Sequence, residues 1–477
     1  MQKTTIVDWR HQFIITSNAT LIDELPQNWK LNSVIGTNIE CRYHDSLPIN
    51  KVMLYEKELL VLGWAINLKT GLLINEDCNL RCKKTDLAGR FIAVDISDMS
   101  VFGDPLMSQP AVFNSKLNAI ASTPNVIASF FNESLEFDAD IDQNLNENSG
   151  GFYPFGMTPY IHYRRLLCNH EYSLLSKKTC RFYKFTKLAN LSDEQHLEKI
   201  SQSVSQVMSA YINEGDTQIA LSAGKETRFM LACSLENKHK LRFMTRYDYD
   251  PGSEQDFITA KHIAKKFNLN HVGIIKSHYK SLSTVDKENW LSRVGYAVAG
   301  NPLKSYNLID SEKKDFFSLT GIGGEFIRGF YWNAYKSYKT KLTPELLLKI
   351  TALPLTKSYI REATTYLDSL DKKLNDYDIL DVFYLENRVA AFSSPHKYGC
   401  INGINFVTPF SSRCFIEHGF SLSKKIKATD MSLVKVIKAK SEFLGRLPFN
   451  LPINIYGWCK PYYFKKIMRA LKSRILK

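Results

Sequence analysis

Residues 217–235 read TQIALSAGKETRFMLACSL: a short β-branched and apolar run, a turn of small residues, then a stretch of helix formers. That order predicts a strand, a glycine turn and a helix. The turn, Ser222 to Arg228, then holds several backbone N–H groups at the positive end of a helix dipole, which favours anions. The next fifty residues keep the rhythm. LRFMTRY (241–247) reads as a second strand and HVGII (271–275) as a third. Between them SEQDFITAKHIAKKF (253–267) reads as a helix, with Ser253 and Asp256 spaced as a capping box and Phe257, Ala260, Ala264 and Phe267 on one face. Such a β-α-β-α-β series implies a parallel sheet covered by helices, with ligands beyond the carboxyl ends of the strands. A second small-residue turn, TGIGGEFIRG (320–329), comes after the strand-like DFFSL and stands at another such end.

Two familiar phosphate loops are excluded. AGKET lacks the glycine five residues before Gly224 and has Glu226 after its lysine, so it is no Walker A loop. Phe326 stands where the third glycine of a dinucleotide fingerprint belongs. Taken alone, SAGKETR reads more readily as a plain turn in which Gly224 supplies a positive φ than as a phosphate loop.

The 477 residues are enough for two or three domains, and 44% hydrophobic with 23% charged residues is a globular composition. The first 130 or so residues carry short β-rich runs that read as an α+β or all-β layer, with a polar loop after them at 138–151. A helical pattern starts near residue 193, so the boundary is expected at 185–195, dividing the chain into 1–190 and 191–477. No run of 18 apolar residues exists, and the opening MQKTTIVDWRHQ meets charge before a signal segment forms, so a cytoplasmic protein is expected. Nine cysteines form no even disulfide framework, and Cys78 with Cys82 lack the partners of a zinc site. A net charge of +14 attracts nucleic acid, anionic lipid, nucleotides or acidic glycans without choosing among them. Residues 462–477 read as a terminal helix docked on its own domain. The alternative is a helix lying on an anionic surface, peripheral at the inner face of a membrane.

Several motifs together resemble the asparagine synthetase-like ATP-pyrophosphatases. LSAGKETR looks like their pyrophosphate loop, usually Ser-Gly-Gly-x-Asp-Ser, and TGIGGEFIRG stands where they have Ser-Gly-x-Gly-x-Asp-Glu. GSEQDFITAKHIAKKFNLNH is similar to their helix after the second strand. NFVTPFSSRCFIEHGFSL is similar to their Pro-Phe motif, and SLVKVIKAK with RLPFNLP to their C-terminal Lys and Leu-Pro elements. In the first half LAGRFIAVDI, VFGDPLMSQPAVF, AIASTP and GFYPFGMTPYIHYRRLLCNHEYSL look like the glutaminase domain that precedes the synthetase domain.

The resemblance implies a degenerate N-terminal-nucleophile, glutaminase-like αββα domain (α+β). Behind it stands an α/β domain, a doubly wound parallel-sheet pyrophosphatase-loop fold with a helical C-terminal part. It implies that Ser222, Ala223, Gly224, Lys225, Glu226, Thr227, Arg228, Thr245, Gly321, Gly323 and Gly324 bind ATP. Glu226 and Glu325 would hold Mg²⁺, Glu325 and Lys460 would be catalytic, and Arg328 would contact phosphate or a substrate carboxylate. Departures qualify the activity. Gln2 stands where ammonia-producing members have a cysteine nucleophile, so glutaminase activity is expected to be absent, as in β-lactam synthetase and the lasso-peptide cyclases. Glu226 and Glu325 are each one methylene longer than the family's aspartates, and Ala223 adds a Cβ beside the phosphates. The implied function is an ATP-dependent amide-forming ligase acting on a small-molecule or glycan carboxylate, a uronic acid on electrostatic grounds. The alternatives are an inactive scaffold of the same family and a tRNA-modifying relative. The last needs a paired-cysteine relay, and Cys233 stands alone, so a nucleic-acid partner is not favoured.

Overall fold

A computed structural model describes residues 9–453 and Tyr462, apart from 19–20, 22–23, 35–36, 56, 143–151, 249, 276–282, 296–314, 393 and 400–402. Gln2, Lys460 and all of 462–477 except Tyr462 therefore lie outside the described residues.

The structure is mixed α/β. The anticipated parallel sheet has five strands, in the order Asn270–Ile275, Leu241–Tyr247, Thr217–Ala220, Phe316–Leu319 and Ile404–Val407, every neighbouring pair parallel. Helices Lys225–Cys233 and Pro251–Phe267 connect its first three strands in sequence, because parallel neighbours need a crossover of about that length. The second helix starts three residues earlier than its capping-box reading, and its cap is Asp250, whose carboxylate accepts from the N–H groups of Gly252 and Ser253. Pro251 at the first helical position explains the shift, because its ring presets the helical φ and its missing N–H is not needed there.

The first half of the chain forms a six-stranded and an eight-stranded sheet. Their pairings are antiparallel except for Ile49–Leu54 with Cys78–Leu80. Strand Lys57–Asn67 shows why both of its faces are apolar. Leu60, Leu62, Trp64 and Ile66 enter the main core, whereas Leu59, Val61 and Ala65 join a second cluster with Phe91 and Phe102. The six-stranded sheet behaves alike: Phe13 and Ile15 face the main core, and Ile14 packs in a cluster with Val126, Ile127 and Phe130 of helix Pro124–Phe130.

The two halves share that main core, which runs from Phe13 to Leu444. Polar contacts cross the same boundary: Gly89 N–H donates to the Ser411 carbonyl at 2.9 Å, and Arg90 Nη1 to that of Phe406 at 3.2 Å. Helix Asp193–Glu214, capped by Ser192 with Gln195 closing the capping box, buries Leu197, Ile200, Val204, Val207, Met208 and Tyr211. Among the described residues no helix is long and apolar enough to cross a membrane.

His196 on this helix lies 2.9 Å, Nδ1 to Nδ1, from His418 on helix Arg413–Ser421. One ring donates and the other accepts, so the pair is stable only while at least one is neutral. Burial, then the neighbouring His196 and Lys199, brings His418 down to about 4, and burial also lowers His196. Because the folded value lies below the usual one near 6.5, the pair's contribution is present above that usual value and is lost as pH falls towards the folded one. We expect the wild-type melting temperature to drop between pH 6.5 and 4 more steeply than that of His418→Leu. Parallel profiles for the two proteins would refute the linkage.

Candidate functional site

Strands Thr217–Ala220 and Phe316–Leu319 pair in parallel with Ile219 opposite Leu319, so the two glycine turns leave the same edge of the sheet side by side. Their glycines allow the approach. A Cβ on Gly321 would come 2.8 Å from Glu226 Cβ, and one on Gly324 would come 3.1 Å from Glu226 Cγ. Gly323 has φ +97°, which the turn into the short 3₁₀ segment Gly324–Arg328 requires, and its missing Cβ leaves room for Leu106 from the first half of the chain.

Gly224 differs from the plain-turn expectation. It is the N-cap of helix Lys225–Cys233 in extended backbone, φ −73° and ψ 162°, so it supplies no positive φ. The turn is shaped instead by side chains. Ser222 Oγ accepts the Gly224 N–H at 3.0 Å and lies 2.9 Å from Thr227 Oγ1. Asp256 Oδ1 accepts the Ala223 N–H at 2.9 Å. Two backbone donors expected to face a phosphate are thus engaged by the protein itself, while the N–H groups of the first helical turn have no intrahelical acceptor. Asp256, expected as a cap, braces the loop because the helix begins earlier than its pattern suggests.

Thr245 is buried beneath the loop. Its hydroxyl donates to the Leu221 carbonyl at 2.6 Å and lies 2.8 Å from His271 Nε2, so it supports the turn from below. Arg228 is fully buried. Its guanidinium donates to the carbonyls of Ala223, Leu444, Leu447 and Pro448 and stacks 4.1 Å over Phe449. Burial pushes it down to about 10, partly offset by Asp256. In place of the expected phosphate contact, Arg228 ties the loop to residues 444–449.

The charged mouth of the site contains Lys225, Glu226, Glu325, Arg328 and Asp430. Glu226 is largely enclosed, its side chain 18% exposed. Its Oε1 lies 3.2 Å from Arg328 Nε but off the line of that N–H, and it has no hydrogen-bond partner. Burial raises its carboxyl, Arg328 opposes the shift, and Glu325 and Asp430 reinforce it. Glu325 accepts the Tyr384 hydroxyl at 2.7 Å on Oε2, and burial, with Glu325 beside it, holds that phenol well above its usual range. Lys225 is paired with the Asp430 carboxylate and donates to its carbonyl at 3.2 Å, while Arg328 Nη1 lies 3.3 Å from Asp430 Oδ1.

The geometry therefore brings together Ser222 to Thr227 with Gly321, Gly323, Gly324, Glu325 and Arg328. It sets Arg228 and Thr245 behind them as supports, and Lys460 lies outside the described residues. Among the described residues no three His, Cys, Asp or Glu side chains converge as a metal cage. Mg²⁺ commonly takes only one or two protein carboxylates and completes its shell with phosphate and water. The largely enclosed Glu226 carboxylate, whose Oε1 accepts no hydrogen bond, fits such a cation beside Glu325. Tyr384 and Asp430 carry no local sequence signal for this site, nor does Asn450, whose N–H donates to the Ala223 carbonyl at 3.0 Å. Each arrives from a distant element.

No family model matches the sequence, and no curated protein does. Among solved structures, that of NMN synthetase from Francisella tularensis is 15% identical, covers 40% of this chain and 85% of its own, and superposes with a TM-score of 0.19. A likeness that slight assigns neither fold nor activity to this chain.

Proposed function

We propose that this protein is an ATP-dependent ligase that adenylates a substrate carboxylate and passes the acyl group to an amine, with the two glycine turns as its nucleotide site. The observation that carries the reading is Glu226: a carboxylate enclosed between two turns at the carboxyl ends of adjacent parallel strands, its Oε1 ion-paired with Arg328 but accepting no hydrogen bond, with Glu325 close by. Burial and the neighbouring Glu325 and Asp430 disfavour the Glu226 carboxylate more than Arg328 favours it, and Mg²⁺ bound there would relieve that cost and neutralise the oxygens of a departing pyrophosphate. Glu226 and Glu325 would hold the ion, and Lys225 and Arg328 would hold the phosphates. The substrate carboxylate oxygen attacks the α-phosphorus, the bond to pyrophosphate breaks, and an acyl-adenylate forms. The amine nitrogen then attacks the acyl carbon, the bond to AMP breaks, and the amine gives up a proton to solvent. Lys460 is proposed to stabilise the oxyanion of this second step. With Gln2 in place of a nucleophile, the first half of the chain serves as support, and a small-molecule or glycan carboxylate is the proposed substrate. A scaffold without catalysis is the second reading, supported by the ion pairs that close the site around Asp430.

Thermal stability separates the two. Mg·ATP at about a hundred times its dissociation constant is expected to stabilise the wild type by ~2.7 kcal/mol, and to leave Glu226→Ala with Glu325→Ala unchanged. A wild type indifferent to millimolar Mg·ATP would leave the scaffold reading.

A further inference from the structure

Asp430 sits in the turn between helices Lys424–Ala428 and Ser432–Lys440, in left-handed backbone with φ +56°. From there its single carboxylate meets both cations at the mouth of the site: Lys225, the first residue of the helix behind the first glycine turn, and Arg328 at the end of the second. The carboxylate is 37% exposed, whereas Lys225 and Arg328 are 15% and 24% exposed. Asp430 thus covers the cations from the solvent side. Glu226, which also faces Arg328, is the more enclosed carboxylate and does not meet Lys225 in this way.

We propose that Asp430 is a displaceable counter-ion that occupies the place of the outer phosphates and is exchanged for them when nucleotide enters. The proposal rests on the nucleotide-site reading above. Two cations bridged by one carboxylate, with Glu226 behind Arg328, form a preassembled anion site whose outer occupant is tethered to a turn rather than to a regular element. A polyphosphate offers more charge and more acceptor oxygens than one carboxylate, so it displaces Asp430, whereas a single phosphate has little advantage. The exchange also works in reverse. When the acyl-adenylate forms and pyrophosphate is severed, Asp430 competes for Lys225 and Arg328 and favours pyrophosphate release, while AMP, whose phosphate was the α-phosphate, is unaffected. Asp430 would therefore set the selectivity of the site between polyphosphate and monophosphate.

Calorimetric titration of the full-length protein tests this with three probes: Mg·ATP, Mg·pyrophosphate and AMP. Asp430→Asn and Asp430→Gly both tolerate the left-handed backbone, and a thermal melt confirms that each is folded. Both are expected to bind Mg·ATP and pyrophosphate about tenfold more tightly than the wild type, with AMP unchanged, as removal of a competing charge-assisted pair should produce. If the wild type binds Mg·ATP and the variants bind it equally or more weakly, the counter-ion proposal fails and the nucleotide site stands. Equal tightening for all three probes also overturns it, because a general change in charge or loop order would act on AMP as well. If neither the wild type nor the variants bind Mg·ATP, the nucleotide reading itself has failed, and this proposal with it.

Discussion

Replacing Arg228 with methionine is expected to destabilise the protein by about 4 kcal/mol. The side chain is fully buried, with Nη1 donating to the carbonyls of Leu444 at 3.3 Å and Leu447 at 2.9 Å, and Nη2 to those of Ala223 at 2.6 Å and Pro448 at 2.5 Å. Ala223 keeps the Asn450 N–H as a second donor, whereas the carbonyls of Leu444, Leu447 and Pro448 lose the Arg228 donor. A carbonyl left without a partner costs about 1–3 kcal/mol when buried, as at Leu444, and less at the half-buried Leu447 and Pro448, and the contact with Phe449 adds about 1 kcal/mol when desolvated. Relief of the buried guanidinium takes some of that back, since burial pushes it well down. Arg228→Lys keeps the charge but replaces a planar fork with a single ammonium, so it recovers less than half of the loss. Urea midpoints, with hydrogen exchange over 444–450, check both. A methionine variant within about 1 kcal/mol of the wild type would show that the arginine does not brace the loop.

Lys427→Met is expected to cost about 3–5 kcal/mol, the range for stripping one partner from a buried ion pair. Lys427 Nζ lies 2.7 Å from Asp381 Oδ2, with both side chains at most 3% exposed, and Asp381 Oδ1 accepts the Trp332 indole N–H at 2.9 Å. The ammonium also lies 5.0 Å over the ring of Phe326 and 5.5 Å over Trp332. This pair anchors the helix whose C-terminal turn carries Asp430. Even with Lys427 present, burial pushes Asp381 up to about 6, and without it the carboxyl rises further and takes a proton. A raised folded-state value means that the variant's stability is greatest below the usual carboxyl range and falls as pH rises through the new one. The variant should therefore be closer to the wild type at pH 5 than at pH 7.5. Adding Asp381→Leu should recover most of the loss, because no unpaired charge remains. No recovery in the double variant would place the damage in packing alone.

Both predictions concern residues whose importance could not be read locally. The strand, turn and helix at 217–235 were legible because apolar periodicity is set by the backbone's own repeat. The pairing of the two glycine turns came from parallel-sheet topology, and the helix beginning near residue 193 was legible from its apolar spacing. The Ser253 and Asp256 capping box was misread because Asp250 and Pro251 offer a stronger start three and two residues earlier. Gly224 was misread because its role is space beside Ser222, where a Cβ would come 3.1 Å from Oγ, rather than backbone freedom.

Sequence alone determined the parallel-sheet half, the edge at which its glycine turns lie and the carboxylates and cations those turns bring. Those features depend on residues within a few positions of one another, where bond geometry and side-chain spacing leave few choices. Only the tertiary structure decided which charges meet. Lys225 and Asp430 are 205 residues apart, Arg228 reaches carbonyls at 444–448, and Tyr384 comes to Glu325 from a separate helical segment. Such partners are selected by burial, since a charged or polar group withdrawn from water must find a counterpart wherever the folded chain brings one within reach.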